Sequence, residues 1–467
     1  MKKIVYNLSI LLATSGLVLT SCSRDFTETQ FFQSEVAIPI TSVEQLNSFV
    51  NGMYVKMRSR HYLGKSLKAY AQIHTDETYC TLYSGRNVQF ATYTMTSQSA
   101  DAKDTWYGIY QVVANANIII NASDNLTYRG SALDASGKNE LKYLKGQAYA
   151  VRAQAFFDLL RLYGQEYSSG NLGIVLPLEY NPSAKMPRAS VDETRAQIES
   201  DFAKALDYIG DSGALSDKTY INKYAVKALM SRYYLYKKDY NKALKYADDV
   251  INSKAYSVAK ASDLKLSFSK ENPENSIFEL AVGINGANGT NSYDYIMNSN
   301  GYANIAVLPS LLNSYDNDDV RLSLITVDDG KYFLNGKFSS LQGSNNVKVI
   351  RYEEVLLNAA EAAFMTGNTA KALDYVNDIR VNRGLTASTS ITLDGIKVER
   401  SKELLGEGFR YWDLLRWNSV IPFYTNTGAR DTKFDKNIGD YLLAFPIPRD
   451  ETNVTGSKIV ANPGYDN

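Results

Sequence analysis

Apolar residues recur at intervals of three and four along much of the chain, the spacing that lines one face of an α-helix. It predicts a helix over about Asp104 to Ala122, where Trp106, Ile109, Tyr110, Val113, Ala116, Asn117 and Ile120 follow the stripe. A second helix is predicted over about Glu140 to Tyr163, with Ala148, Val151, Ala155, Leu159 and Leu162 on one face. A third follows Ser190, an N-cap with Glu193 at the capping-box position, and ends near Gly210. Between the last two, Leu172 to Tyr180 combines Gly173, Pro177 and branched residues and reads as an extended crossing.

A short motif then repeats. Lys204-Ala205-Leu206-Asp207-Tyr208, Lys242-Ala243-Leu244-Lys245-Tyr246 and Lys371-Ala372-Leu373-Asp374-Tyr375 share one pattern. The last two follow helices that end in short polar turns, Lys237-Lys238-Asp239 and Thr366-Gly367-Asn368. Small Ala beside large Leu and Tyr lets antiparallel helices approach closely. Helix, tight turn and Ala-Leu helix is the unit of a tetratricopeptide repeat, whose period is about 34 residues. The fold expected is mainly α: a tetratricopeptide-like helix-pair scaffold carrying irregular, loop-rich insertions with short strands. The insertions are residues 74–100 and 283–346, rich in Asn, Ser, Thr, Gly and Tyr and weak in periodicity. Binding residues concentrate in such segments.

The first residues are patterned differently. Lys2 and Lys3 precede a short apolar run that closes on Leu19-Thr20-Ser21-Cys22, the arrangement of a secretory signal. The Leu-Thr-Ser-Cys ending resembles the lipobox of bacterial lipoproteins, with cleavage before an acylated cysteine. The expected organisation is a signal peptide over 1–21, a lipidated linker over 22–40 with Cys22 as lipidation site, and a single body over 41–467. Several acyl chains hold a soluble body on a membrane where one holds it only marginally.

Composition narrows the chemistry. Fifty basic and fifty acidic residues cancel in a chain of 467, and neither sign forms a block, which argues against nucleic acid as a partner. With Cys22 acylated, Cys80 has no disulfide partner and reads as a buried small hydrophobe, the alternative being a reactive thiol. Only His61 and His74 are present, and the chain has no His-Glu-x-x-His, Cys-x-x-Cys, Gly-x-Ser-x-Gly or Gly-Lys-Ser/Thr loop. His74, Asp76, Glu77 and Cys80 fit no metal-ligand spacing. No metal, cofactor or catalytic group is therefore expected. Two acids distant in sequence would still suffice for a glycosidase.

Five motifs in order carry a resemblance. They are Arg152-Ala153-Gln154-Ala155-Phe156-Phe157-Asp158-Leu159-Leu160-Arg161-Leu162-Tyr163-Gly164, Arg188 to Glu193, Arg351 to Leu357 with Ala360-Glu361-Ala362, Glu399 to Trp417, and the closing Phe445-Pro446-Ile447-Pro448 with Asn462-Pro463-Gly464-Tyr465. Together they resemble the SusD/RagB family of nutrient-binding outer-membrane lipoproteins. The spacing of Glu407, Arg410, Asp413 and Arg416 suggests an ion-pair ladder along one helix that locks packing rather than an active site.

The resemblance implies a non-enzymatic, lipid-anchored protein of the outer membrane, facing outward, that captures a nutrient over a SusC-like TonB-dependent transporter. An oligosaccharide is the expected ligand, and an oligopeptide, as in the RagB branch, is the alternative. A surface glycoside hydrolase and a repeat-scaffold adaptor are the remaining readings. Trp106, Trp412 and Trp417 fall in scaffold helices, so tyrosine supplies the flat faces a sugar stacks on. Candidate binding residues are Tyr79, Tyr83, Arg86, Asn87 and Tyr93 in the first insertion. In the second they are Tyr293, Tyr295, Asn298, Tyr302 and Asn304. This mixture supplies stacking faces and paired hydrogen-bonding groups for sugar hydroxyls.

Overall fold

The computed structural model describes residues 39–465, and from Ser42 onward they form one compact unit. The signal and lipidation site fall outside the described residues. Helix α1 (Val43–Met57) starts at Ser42, whose side chain accepts from the Gln45 N–H. It is followed by α2 (Ser66–Ile73), α3 (Ala100–Ile120), α4 (Ala135–Tyr163) and α5 (Val191–Ile209). Both early predictions start late, because α3 and α4 continue four or five residues further back. Asp134 caps α4 through the Gly137 N–H, a signal that does not depend on the apolar stripe. At α5 the Ser190/Glu193 capping box is complete in both directions. The crossing from Leu172 is held by Gly173 N–H to Ala189 O and Ala189 N–H to Ile174 O rather than by a regular strand.

The repeat units fold as helix pairs. Helix α6 (Lys223–Tyr236) turns through Lys237-Lys238-Asp239 into α7 (Tyr240–Ile251). Helix α8 (Tyr352–Met365) turns through Thr366-Gly367-Asn368 into α9 (Thr369–Val381). Asp239 and Asn368 each cap the second helix of their pair. Helix α7 also packs on α8, so the two pairs stack into one layer. In each repeat copy the alanine, Ala205, Ala243 or Ala372, is fully buried while the neighbouring leucine is only half-buried. The missing side-chain bulk at the alanine is what lets the helices close up. Helices α10 (Leu393–Leu404) and α11 (Arg410–Arg416) complete the scaffold.

Short strands belong to the insertions. Strand β1 (Thr78–Cys80) lies in the first; a small hairpin, β2 (Thr127–Tyr128) and β3 (Ser131–Ala132), follows between helices. Strands β4 (Ser276–Leu280) and β8 (Val347–Arg351) pair with each other and frame the second insertion at its base. Within it run β5 (Ile305–Val307), β6 (Thr326–Asp328) and β7 (Lys331–Phe333). The sheet order β1-β5-β7-β6 joins both insertions in one antiparallel sheet, with Tyr79 opposite Ala306.

Buried charge locks these parts together. Glu403 of α10 meets Arg321 from the second insertion, Arg351 at the end of β8 and Arg383 beyond α9. Burial alone would raise its pKa, but Arg383 and Arg351 outweigh this and hold it well below the usual carboxylate range. The expected single-helix ladder is only partly present. Asp413 and Arg416 pair three residues apart, yet Glu407 precedes α11 and bonds Lys337 and Arg351, while Arg410 makes a bidentate pair with Asp76. Gly408, at φ +83°, turns the chain between Glu407 and the helix, so Glu407 never joins the helical run of Arg410, Asp413 and Arg416. The ion pairs tie separate elements together.

Candidate ligand-binding site

The loops of the two insertions meet above the sheet β1-β5-β7-β6. Thr81 N–H bonds Asn304 O at 2.8 Å, and Thr81 Oγ1 donates to Ala303 O at 2.6 Å. Asn87 Nδ2 donates to Asn304 Oδ1 at 2.8 Å, and Asn304 Nδ2 returns a bond to Arg86 O at 3.2 Å. These bonds fix the 81–87 turn against the 302–304 turn. On the surface above them, Arg86 Nη2 donates to the Tyr302 hydroxyl at 3.0 Å and its guanidinium lies 4.8 Å from that ring. Tyr302 meets Tyr295 edge-on, with ring centroids 4.7 Å apart. Hydrogen bonds from Thr290 and Arg86 hold the Tyr302 hydroxyl below its usual pKa. Tyr83 is 61% exposed, and Lys331 Nζ stands 5.0 Å from its ring centroid.

The ten candidates therefore divide. Tyr83 is exposed; Arg86, Tyr295 and Tyr302 are half-buried and in contact with one another, and Tyr83 precedes Arg86 by three residues. Asn87 and Asn304 are buried beneath it as the clasp between loops. Asn298 is buried and donates to Phe338 O at 2.8 Å. Tyr293 is buried, with its hydroxyl on Gly406 O at 2.8 Å. Tyr79 faces the sheet core with Ala306, Leu308 and Phe333. Tyr93 lies apart, stacked on His74 at 4.0 Å with rings 5° from parallel. Sequence composition missed Lys331 and Thr290, because neither stands out until the fold brings it beside a tyrosine, Lys331 from β7 and Thr290 from a short turn.

The other candidate chemistry resolves into structure. Cys80 is buried, and burial pushes its thiol up to about 11, away from reactive thiolate character. His74 is buried, pushed down to about 4 by desolvation, and bonds Phe90 O through Nε2 at 2.8 Å. Among the described residues no group of three His, Cys, Asp or Glu side chains is arranged to hold a metal. No helix among them is long and apolar enough to cross a membrane. Trp106 and Trp412 are buried in helices α3 and α11, and Trp417 caps α11.

A helix-pair scaffold whose two loop insertions unite in one small sheet beneath a tyrosine-bearing surface defines a class of proteins. Residues 327–465 match the model described as the SusD family, and residues 26–235 match the model described as starch-binding associating with outer membrane. The chain belongs to the SusD/RagB family. A SusD-like protein of Bacteroides ovatus is 22% identical over 92% of this chain and 87% of its own length. The crystal structure of a SusD superfamily protein from Bacteroides vulgatus superposes with a TM-score of 0.81 at 27% identity, over 91% of this chain and 100% of that one. A laminarin binding SusD-like protein superposes with a TM-score of 0.72 at 20% identity, over 91% of this chain and all of that one.

Proposed function

We propose that this protein captures an oligosaccharide at the outer membrane and delivers it to a SusC-like TonB-dependent transporter, without catalysing a reaction. In this reading an acylated Cys22 anchors the chain, and the body faces the exterior. The observation that carries the proposal is the contact of Arg86 with Tyr302 and of Tyr302 with Tyr295, close in sequence to exposed Tyr83, built where two otherwise separate insertions are clasped. Tyrosine faces favour the C–H faces of sugar rings, and a guanidinium bridges paired hydroxyls. The starch-binding family model and the laminarin-binding relative favour a glycan over a peptide.

Calorimetry of the purified protein against panels of oligosaccharides and mixed-sequence peptides tests the ligand. A sugar-specific heat that weakens by about three- to tenfold in Tyr83→Ala, the worth of one aromatic contact, supports the reading. A peptide-specific response moves the protein to the alternative ligand, and silence from both panels refutes capture at this surface. Copurification of a large β-barrel transporter with the tagged protein tests the partner.

A further inference from the structure

We infer that the ligand of this surface is an acidic oligosaccharide, one carrying carboxylate or sulfate groups, held at a cationic rim formed by Arg60, Lys65 and Arg86. The inference rests on the proposed sugar-binding surface and names the class of sugar it takes.

The loop after α1 is bound tightly to the second insertion. Arg58 Nη1 donates to Val282 O at 3.0 Å, Asn288 Nδ2 donates to Arg58 O at 3.2 Å, and Tyr293 N–H donates to Gly64 O at 3.1 Å. Only glycine fits at position 64, since an added Cβ would stand 2.2 Å from Arg58 O. This packing brings Arg60 and Lys65 to the edge where Arg86 sits on Tyr302. Lys65 lies among charges of both signs. Burial lowers its pKa and Arg86 and Arg60 lower it further, against the opposing pull of Asp101 and Asp104. Tyr302 feels both Arg86 and Lys65, in the direction that favours its anion.

The charges do not cancel here. Arg60, Lys65 and Arg86 stand near two carboxylates, Asp101 and Asp104, and Asp104 is 3.7 Å from His61 Nδ1. Among the described residues no carboxylate lies within 4.0 Å of those three cations; Arg60 Nε donates to His61 Nε2 at 2.9 Å and Arg86 to the Tyr302 hydroxyl. Most interior arginines behave in the opposite way: Arg152, Arg232, Arg321, Arg351, Arg383 and Arg416 rest on Asp or Glu, while buried Arg188 is held by carbonyls and Asn462. Beside Tyr83, Lys331 is neutralised by Asp329 at 3.2 Å. The basic side chain beside Tyr83 is thus neutralised, whereas Arg60, Lys65 and Arg86 have no carboxylate in contact. Arg60 is exposed and Lys65 and Arg86 are half-buried, so an incoming anion reaches all three. Guanidinium groups without a carboxylate partner match planar carboxylates and sulfate esters in bidentate geometry.

The test changes the ligand first and the protein second. Binding of the purified protein is measured by calorimetry with oligogalacturonate, with its fully methyl-esterified form, with a sulfated galactan oligomer, and with neutral starch and β-glucan oligomers. The expected result is binding of an acidic member, about tenfold weaker on esterification or desulfation and weaker again in high salt. Which acidic member binds separates carboxylate from sulfate. The same loss is expected in Arg86→Gln with wild-type ligand, provided its melting temperature is unchanged. Binding of neutral oligomers with no preference for acidic ones overturns the inference and leaves the sugar-binding surface standing. Failure of every sugar overturns both. A preference that survives in a Lys65→Gln, Arg86→Gln double variant also overturns it, since the rim then contributes nothing.

Discussion

Replacing Glu403 by Gln removes one negative charge from the centre of three arginines while keeping the side chain's shape. Arg383 donates to this carboxylate through Nε and Nη2 at 2.9 and 2.8 Å, Arg351 through Nη1 at 2.7 Å, and Arg321 through Nη1 at 3.1 Å. Breaking a buried ion pair by removing one partner costs about 3–5 kcal/mol, because the other charge is left uncompensated. Here each arginine keeps a second anion: Arg383 keeps Glu353 at 3.0 Å, Arg351 keeps Glu407 at 2.7 Å, and Arg321 keeps Asp319 at 2.7 Å. The cost therefore falls at the low end, about 3 kcal/mol. With about 2 cal/mol/K of unfolding entropy per residue, a body of this size loses roughly 3 °C in melting temperature. Scanning calorimetry gives that shift, and hydrogen exchange locates it: faster exchange is expected at residues 320–325, which Arg321 ties to α10. A shift below about 1 °C, with exchange unchanged there, would refute the claim that this carboxylate holds the second insertion to the scaffold.

Two further perturbations test other joints. Glu77, next to β1, is pushed up to about 7 by burial, although Arg410 opposes the shift. A carboxyl raised in the folded state binds more protons folded than unfolded between about 4.5 and 7, so it costs no stability below that window and its full penalty above it. Urea titrations should show Glu77→Gln stabilising relative to wild type at pH 8 and the difference shrinking toward pH 4.5; a pH-independent difference would contradict the assignment. Gly408→Ala places a Cβ 2.8 Å from Lys68 Cα at a residue with φ +83°, and a loss of roughly 2–3 kcal/mol is expected by chemical denaturation.

How far the sequence reached depended on whether the determining contacts were local. Helices α5, α7 and α9 were legible because an apolar stripe and a capping side chain, Ser190, Asp239 or Asn368, lie within a few residues of each other. The position of the loop insertions was legible for the same reason in reverse: periodicity stops. The sorting of tyrosines inside them was not. Tyr79 and Tyr83 are four residues apart in similar composition, yet one is core and one is solvent-facing, because Tyr79 is in β1 while the chain leaves the strand after Cys80 and turns at Leu82, φ +61°. The contact of Arg86 with Tyr302 spans 216 positions and has no local signature. The Glu407-to-Arg416 spacing misled in the other direction, since a three-residue interval implies a shared face only inside a continuous helix.

The clasp between the insertions also has a consequence in time. Thr81 finds its partner in Ala303, 222 residues later. Pairings this distant in sequence form late, after local helices have already condensed. During synthesis the first insertion waits without its sheet neighbour until β5 has emerged, so a chain cut between Ile251 and Ile305 carries the residues of helices α1 to α7 but not the joined sheet. The joined sheet therefore exists only in a chain read through its second insertion, and any ligand binding that depends on it doubles as a report of that.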